Sequence, residues 1–146
     1  MFRINRMTDY AVVVLVDMAR RDGVRAAQQL SEDTGVPLPT VAKLMKSLCH
    51  ADLVASTRGA GGGYTLSRAP SDISVAHIIE AVEGPIAINA CVDDNTDDCG
   101  LQGLCSMHGN WERINQVIRR ALRDVSLAEM CIAPPNPFLE APHGGR

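Results

Sequence analysis

"TGVPLPTVAKLMKSLCHADL", residues 34–53, is the stretch that decides the fold. Gly35 can adopt the positive φ of a tight turn, and Pro37 and Pro39 restrict the residues before them to extended conformations. After this turn, apolar residues recur at steps of three and four, which predicts a helix with a polar, partly basic outer face. The apolar positions are Val41, Leu44, Met45 and Leu48, and the outward positions are Thr40, Lys43, Lys46 and Ser47. A shorter helix is predicted at residues 26–33, so the two form a helix-turn-helix, with a further helix before them at residues 5–20.

Two short β-capable runs follow, at residues 53–57 and 64–66, joined by a glycine-dense turn that carries Arg58. This order predicts a β-hairpin wing. A helix of this kind can enter the major groove of double-stranded DNA while an arginine at the wing tip reaches a flanking minor groove. The residues expected to contact DNA are Pro39, Thr40, Lys43, Lys46, Arg58 and Gly59. The alternative is a flexible glycine turn beside an ordinary surface helix.

Charge and length limit the possible classes of protein. A chain of 146 residues is long enough for one domain with its own core. Its net charge of -3 argues against coating nucleic acid through bulk positive charge, although a local basic face could still bind it. The apolar run at residues 11–16 ends at Asp17, far short of the ~20 residues that a bilayer span requires, and no cleavage site follows. We therefore expect no membrane partner and a bacterial cytoplasmic location, where cysteines are thiols or metal ligands rather than disulfides.

Two more helices are predicted, at residues 74–84 with Ser74 as N-cap, and at residues 108–129. The longer helix carries one apolar stripe, formed by Trp111, Ile114, Ile118, Ala121, Leu122 and Val125. DNA readers of this type usually pair so that two half-sites are read together. We expect a homodimer through Trp111, Ile114, Ile118 and Leu122; the alternative is that the stripe is buried within one chain.

The stretch "CVDDNTDDCGLQGLCSMH", residues 91–108, offers three soft thiolates, Cys91, Cys99 and Cys105. Thiolates of this kind suit an iron-sulfur cluster or zinc. The tight C-x2-C pairs of closed zinc sites are missing, and the four aspartates disfavour the reactive thiolate that a redox switch needs. These residues alone favour an iron-sulfur cluster and a zinc ion about equally, and a thiol switch is the third interpretation.

Four segments together resemble a known family. They are "TDYAVVVL" at residues 8–15, the predicted recognition helix, "RGAGGGYTL" at residues 58–66, and the cysteine loop before "GNWERINQVIRRAL" at residues 109–122. This combination, over residues 1–129, resembles the bacterial iron-sulfur-dependent winged-helix regulators typified by IscR, NsrR and RirA. "EAVEGPIAINAC" and "GNWERIN" are most similar to the branch that regulates the SUF iron-sulfur assembly system. The resemblance implies a repressor of iron-sulfur assembly or iron homeostasis genes that senses cluster status through a bound cluster, for which we favour 2Fe-2S over 4Fe-4S.

Three cysteines leave such a cluster one ligand short. His108, three residues after Cys105, resembles the histidine that completes the cluster in IscR, whereas Asp9 resembles the carboxylate that the partner subunit contributes in NsrR. An exogenous ligand or a labile corner, as the RirA-like cysteine spacing suggests, is the third possibility. On the residues alone, His108 is a solvated first-turn residue and Asp9 is a carboxylate near a helix N-terminus.

The sequence therefore predicts a mainly α protein with a small β-hairpin, a winged helix-turn-helix plus a long C-terminal dimerisation helix. We assign residues 1–84 to the winged module, 85–107 to the cluster-binding loop, 108–130 to the dimerisation helix and 131–146 to a disordered tail. No nucleophile, base and orienting group stand out, and "GAGGGY" lacks the context of a phosphate loop, so we expect neither an enzyme nor a small-molecule substrate. The alternatives to a cluster sensor of iron-sulfur status are a zinc-stabilised or thiol-redox regulator with the same DNA module, and a nitric oxide sensor using the same cluster site.

Overall fold

A computed structural model describes residues 3–93 and 104–132. In that part of the chain, helices surround a main apolar core and a two-stranded antiparallel hairpin lies at one side. The elements are α1 (Arg6–Arg20), α2 (Ala27–Thr34), α3 (Leu38–His50), β1 (Val54–Thr57), β2 (Gly63–Leu66), α4 (Val75–Glu83), α5 (His108–Asp124) and α6 (Leu127–Met130), with short 3-10 turns at Pro70–Asp72 and Ala90–Val92. None of the helices described is both long and apolar enough to cross a membrane.

The helix-turn-helix forms where the sequence predicts it. Gly35 ends α2 with a φ of 76° and donates its N–H to the Ser31 carbonyl. Helix α3 begins at Leu38, two residues before the predicted start, because Pro39 lies in the first turn, where a helix needs no N–H donor. The predicted apolar positions of α3 are all buried, namely Val41, Leu44, Met45 and Leu48. Burial of each such leucine contributes about 1.5 to 3 kcal/mol to stability.

The wing is a short antiparallel ladder that runs from the Val54–Leu66 pair to the Thr57–Gly63 pair. Outside the ladder, Arg25 and Tyr64 form a further β-bridge, which attaches β2 to the segment between α1 and α2. The hairpin is therefore held at its base by the chain that begins the helix-turn-helix.

Helix α5 runs back along α4. Arg119 forms an ion pair with Glu80 at 3.3 Å, and the Val75 N–H donates to the Val125 carbonyl at 2.9 Å. The prediction of one continuous helix at residues 108–129 is wrong at Val125, which adopts an extended conformation. Ser126 is the reason, because it caps the separate helix α6 in a reciprocal box with Glu129. Residues 133–146 of the predicted tail lie outside the described part of the chain.

Candidate nucleic-acid interface and metal centre

The polar face of α3 is open to solvent. Pro39, Lys43 and Lys46 are exposed and Thr40 is half-buried. Within the described residues neither lysine forms an ion pair, so both ammonium groups are available to an anionic ligand. The apolar face of the same helix is fixed in the core, which makes this a rigid basic surface of the kind that phosphate and base contacts require.

Arg58 and Gly59 lie at the exposed tip of the wing. Gly59 has a φ of 112°, a conformation that favours glycine, and its carbonyl accepts from the Gly62 N–H at 3.0 Å. The tight turn holds Arg58 at the end of the ladder, so the predicted wing contact is geometrically available.

The wing base is secured by an ion-pair network that the sequence analysis missed. Arg25 is 9% exposed and contacts both Asp33 and Asp17, the latter at 3.6 Å. Arg21 pairs with the same two carboxylates, at 3.2 Å to Asp17 and 3.1 Å to Asp33. The i, i+4 spacing of Asp17 and Arg21 was a readable signal, whereas the convergence of Arg25 and Asp33 depends on the tertiary fold.

The structure brings part of the predicted ligand set towards α5. Cys91 is half-buried in the Ala90–Val92 turn, which packs against α5, and Cys105 is half-buried just before α5 begins at His108. Cys99 lies outside the described residues, as does the side chain of His108. A thiol on a turn that packs against α5 and a second thiol just before that helix fit the chemistry of an iron-sulfur cluster. The described residues by themselves contain no group of three or more His, Cys, Asp or Glu side chains that could hold a metal.

Asp9, the other candidate ligand, is exposed in the first turn of α1. It lines a shallow cavity with Arg3, Ile4, Asn5, Arg6 and Glu83. None of these described residues belongs to the cysteine segment, of which residues 94–103 lie outside the described part of the chain.

Cys49 on α3 differs from the loop cysteines. Burial raises the pKa of its thiol, so Cys49 stays protonated at neutral pH and is a poor metal ligand.

Asn115 is the second functional candidate that the sequence analysis missed. It lies on α5 and is 2% exposed. Its Nδ2–H donates to the Ile86 carbonyl at 3.1 Å, and its Oδ1 accepts from the Ile88 N–H at 3.2 Å. The side chain therefore ties α5 to the segment that leads to Cys91.

The predicted dimerisation stripe has two parts. Trp111 and Ile114 are 40% and 44% exposed, and they are joined on the surface by Val117, which is 62% exposed. Leu122, by contrast, packs against a small apolar cluster formed with α4, and Ile118 lines an adjoining cavity of about 610 Å³. The outer part of α5 is thus an apolar surface that nothing in the described part of the chain covers.

Comparison with known proteins agrees with this architecture. NsrR of Streptomyces coelicolor, an HTH-type transcriptional repressor, is 31% identical over 140 residues, covering 94% of this chain and 93% of its own. The solved structure of IscR from T. potens is 28% identical with a TM-score of 0.65, covering 88% of this chain and 85% of its own. That of CymR, the global cysteine regulator of B. subtilis, has a TM-score of 0.68 at 24% identity, covers 90% of this chain and 97% of its own, and shows the fold alone.

These comparisons confirm the predicted winged-helix fold and the resemblance to iron-sulfur-dependent regulators. The relatives are transcriptional regulators rather than enzymes, as the sequence predicted. The model of the Rrf2 family, described as iron-dependent transcriptional regulators, matches residues 4–133. The chain therefore belongs to the Rrf2 family of DNA-binding transcriptional regulators.

Proposed function

We propose that this protein is a homodimeric repressor, acting in the cytoplasm, that binds operator DNA and controls iron-sulfur assembly genes of the SUF type according to cluster status. The single observation that carries the proposal is the contact between the Cys91 turn and α5, the helix that begins at His108, three residues after Cys105. A ligand set at this junction would connect the winged module to the dimer helix. The proposal of repression is supported by the name of the NsrR relative, which is a transcriptional repressor.

DNA would be read by α3 and the wing. Thr40, Lys43 and Lys46 face solvent beside Pro39, and Arg58 and Gly59 lie at the tip of a hairpin fixed at its base. We assign α3 to the major groove and Arg58 to the flanking minor groove.

A second copy of the chain would cover the apolar surface of α5. Trp111 and Ile114 would form its centre, with Ile118 and Leu122 at the inner edge, where Leu122 also packs against α4. Pairing through this helix places two recognition helices at a fixed separation, which a palindromic operator requires.

The chain's own residues would hold the cluster at the start of α5. Cys91, Cys99 and Cys105 would supply three thiolates, and His108 the fourth ligand, with Asp9 of the partner subunit as the alternative. When bound, a cluster, for which we favour 2Fe-2S, supplies iron-thiolate bonds that break when iron is scarce or the cluster is attacked.

Ligation would restrain the angle between the winged module and α5. The segment that carries Cys91 leaves α4, and α4 packs against α3. Fixing Cys91 to the start of α5 therefore limits the relative position of the two recognition helices, which must match the half-site spacing. We expect the form with bound cluster to bind the operator at least ten-fold more tightly, a coupling of about 1.4 kcal/mol.

The test compares anaerobically purified wild type, chelator-treated wild type, Cys105→Ala and the control Cys131→Ala. Cys131 is a half-buried thiol outside the proposed ligand set. We expect wild type and Cys131→Ala to be brown and to bind the operator tightly, whereas the other two are colourless, folded and at least ten-fold weaker. Equal operator affinity in all four would refute the sensor function, and loss of the helical circular dichroism signal on chelation would favour a structural metal.

The same samples separate the alternatives. Colourless wild type with one zinc per chain would establish a zinc-stabilised regulator, and metal-free wild type whose operator affinity follows its thiol oxidation state would establish a redox regulator. Spectra of His108→Ala and Asp9→Ala would identify the fourth ligand. Loss of operator binding on addition of nitric oxide but not on iron limitation would assign the signal to nitric oxide.

A further inference from the structure

Asn115 is a buried amide on a helix whose neighbouring positions are open to solvent. Ile114 before it and Gln116 after it are both exposed, whereas Asn115 is 2% exposed. Burying an amide is unfavourable unless both of its polar groups form hydrogen bonds. Asn115 satisfies both, at 3.1 Å to the Ile86 carbonyl and 3.2 Å from the Ile88 N–H, which orients the side chain unambiguously.

The two bonds clamp one short segment. Helix α4 ends at Gly84, whose φ is 90°, and the chain then runs through Ile86 and Ile88 to the Ala90–Val92 turn. Asn115 bonds the two consecutive peptide groups on either side of Ala87, as a residue of a neighbouring parallel β-strand would. The segment is thereby held in one register along α5.

The clamp matters most at Ile88. The Ile86 side chain is already buried in the apolar cluster with Val75, Ala76 and Ile79, so packing alone would keep Ile86 in place. Ile88 is not part of that cluster, and its N–H bond to Asn115 holds the peptide three residues before Cys91. Two of those three residues lie in the Ala90–Val92 turn, so the position of the Ile88 peptide carries over to Cys91, whose distance to a metal would have to be met to within about 0.2 Å.

We propose that Asn115 is a positioning residue for the iron-sulfur site, which holds the segment from Ile86 to Ile88 on α5 and so places Cys91 beside Cys105 and His108. This inference rests on the proposed function. Asn115 itself does not ligate; it acts through the backbone that carries a ligand, as outer-shell partners of metal sites do. Asn115 lies seven residues, or about two helical turns, after His108, so α5 would carry both the clamp and the proposed fourth ligand.

The experiment uses full-length protein purified without oxygen, as wild type, Asn115→Leu, Asn115→Asp and Gln116→Leu. Leucine has the same branching at Cγ, with two methyl groups in place of the amide oxygen and nitrogen, and removes both bonds. Aspartate keeps the acceptor for the Ile88 N–H but loses the donor to the Ile86 carbonyl. Gln116→Leu is the matched control, because this adjacent amide is exposed and, among the described residues, bonds only to Glu112 on its own helix, at 2.9 Å. The measurements are iron and sulfide per chain, visible circular dichroism of the cluster, and its rate of bleaching by a chelator.

We expect Asn115→Leu to lose its cluster about ten-fold faster or more, with an altered visible circular dichroism spectrum, and Gln116→Leu to match wild type. Asn115→Asp should also lose its cluster faster than wild type, because its second carboxylate oxygen would face the Ile86 carbonyl oxygen with no hydrogen to donate. Should Asn115→Leu fail to fold, the same readouts on Asn115→Asp decide the question by its difference from wild type. Bleaching rates and spectra equal to wild type in the folded Asn115 variants would overturn this inference and leave the proposed function standing, whereas wild type without a cluster would overturn the proposed function itself.

Discussion

Arg25 and Tyr64 exchange two backbone hydrogen bonds, 2.9 Å from the Arg25 nitrogen to the Tyr64 oxygen and 2.8 Å in the opposite direction. This pair joins the wing to the start of the helix-turn-helix, and the Arg25 side chain extends the junction to Asp17 and Asp33. This junction fixes the position of the wing relative to α3. That position matters for binding, because the wing and α3 would contact the same DNA.

Gly63 tests the junction directly. A Cβ added there would lie 2.5 Å from the Arg25 carbonyl oxygen, which is backbone and cannot move aside without breaking the bridge. We expect Gly63→Ala to lower the free energy of unfolding by about 1 to 3 kcal/mol, measured by urea denaturation. Gly61→Ala is the control, since a Cβ at Gly61 meets nothing within 4 Å. Equal stability of the two variants would show that the backbone at the base of the wing can shift to accept the Cβ without a loss of stability.

The fold was predictable where local and tertiary signals agree. The period of Val41, Leu44, Met45 and Leu48, with Gly35 before it, predicted α3 because the same residues that favour the helix also fill the core. The break at Val125 was missed because the apolar stripe continues across it, although the S-x-x-E pattern beginning at Ser126 was present in the sequence. Periodicity alone could not show that Ser126 forms an antiparallel β-bridge with Ser74.

Lys43 and Arg58 should bind DNA in different ways. We expect Lys43→Ala and Arg58→Ala to weaken operator binding, with the salt dependence of log affinity flattened by about one unit if the lysine contacts phosphate. Titrations at two salt concentrations measure both quantities. Arg113→Ala is a suitable control, because this exposed arginine on α5 removes the same charge away from α3 and the wing. Affinity unchanged in both test variants would exclude this surface as the DNA-reading face.

Glu129 provides a test of the α6 cap. The Ser126 N–H at 2.7 Å, and then the Ser126 hydroxyl at 2.9 Å, donate to its carboxylate and lower the pKa of Glu129 below its ordinary value of 4.5. The folded pKa is therefore below the unfolded one, so this stabilisation is present above the ordinary value and is lost as pH falls through the folded value. Carbon NMR titration of Ser126→Ala should show a higher Glu129 pKa than wild type. Ser74→Ala, the corresponding change at α4, should leave it as in wild type, and an unmoved value in Ser126→Ala would rule out the hydroxyl contribution.

The ligands of the candidate site were proposed from the sequence and stay a prediction, whereas the residue that supports the site could not be proposed from it. Cysteine and histidine are common metal ligands wherever they occur in a sequence. Spacing and resemblance were therefore enough to propose Cys91, Cys99, Cys105 and His108. Asn115 could not, because a single asparagine on an amphipathic helix is usually solvated, and only the tertiary fold brings the backbone of Ile86 and Ile88 against it. The residues that support a site depend on which distant segments of the chain are in contact. A local sequence pattern does not show those contacts.

A substitution at Ile114 tests the proposed dimer interface without disturbing the fold of the monomer. Leu122 packs against the apolar cluster with α4, and Ile118 is half-buried at the cavity beside it, so a charge at either would disturb the monomer. Ile114, by contrast, is 44% exposed and contributes chiefly to the proposed interface. Burying the remaining exposed part of Ile114 against a second copy should contribute about 1 kcal/mol per side chain, roughly half the value for a fully exposed isoleucine. A glutamate there would bring two like charges into the interface. We expect Ile114→Glu to sediment as a folded monomer at micromolar concentration and to lose binding to a palindromic operator. Gln116→Glu, two residues away on the opposite side of α5, should stay dimeric, and an intact Ile114→Glu dimer would exclude this face as the interface.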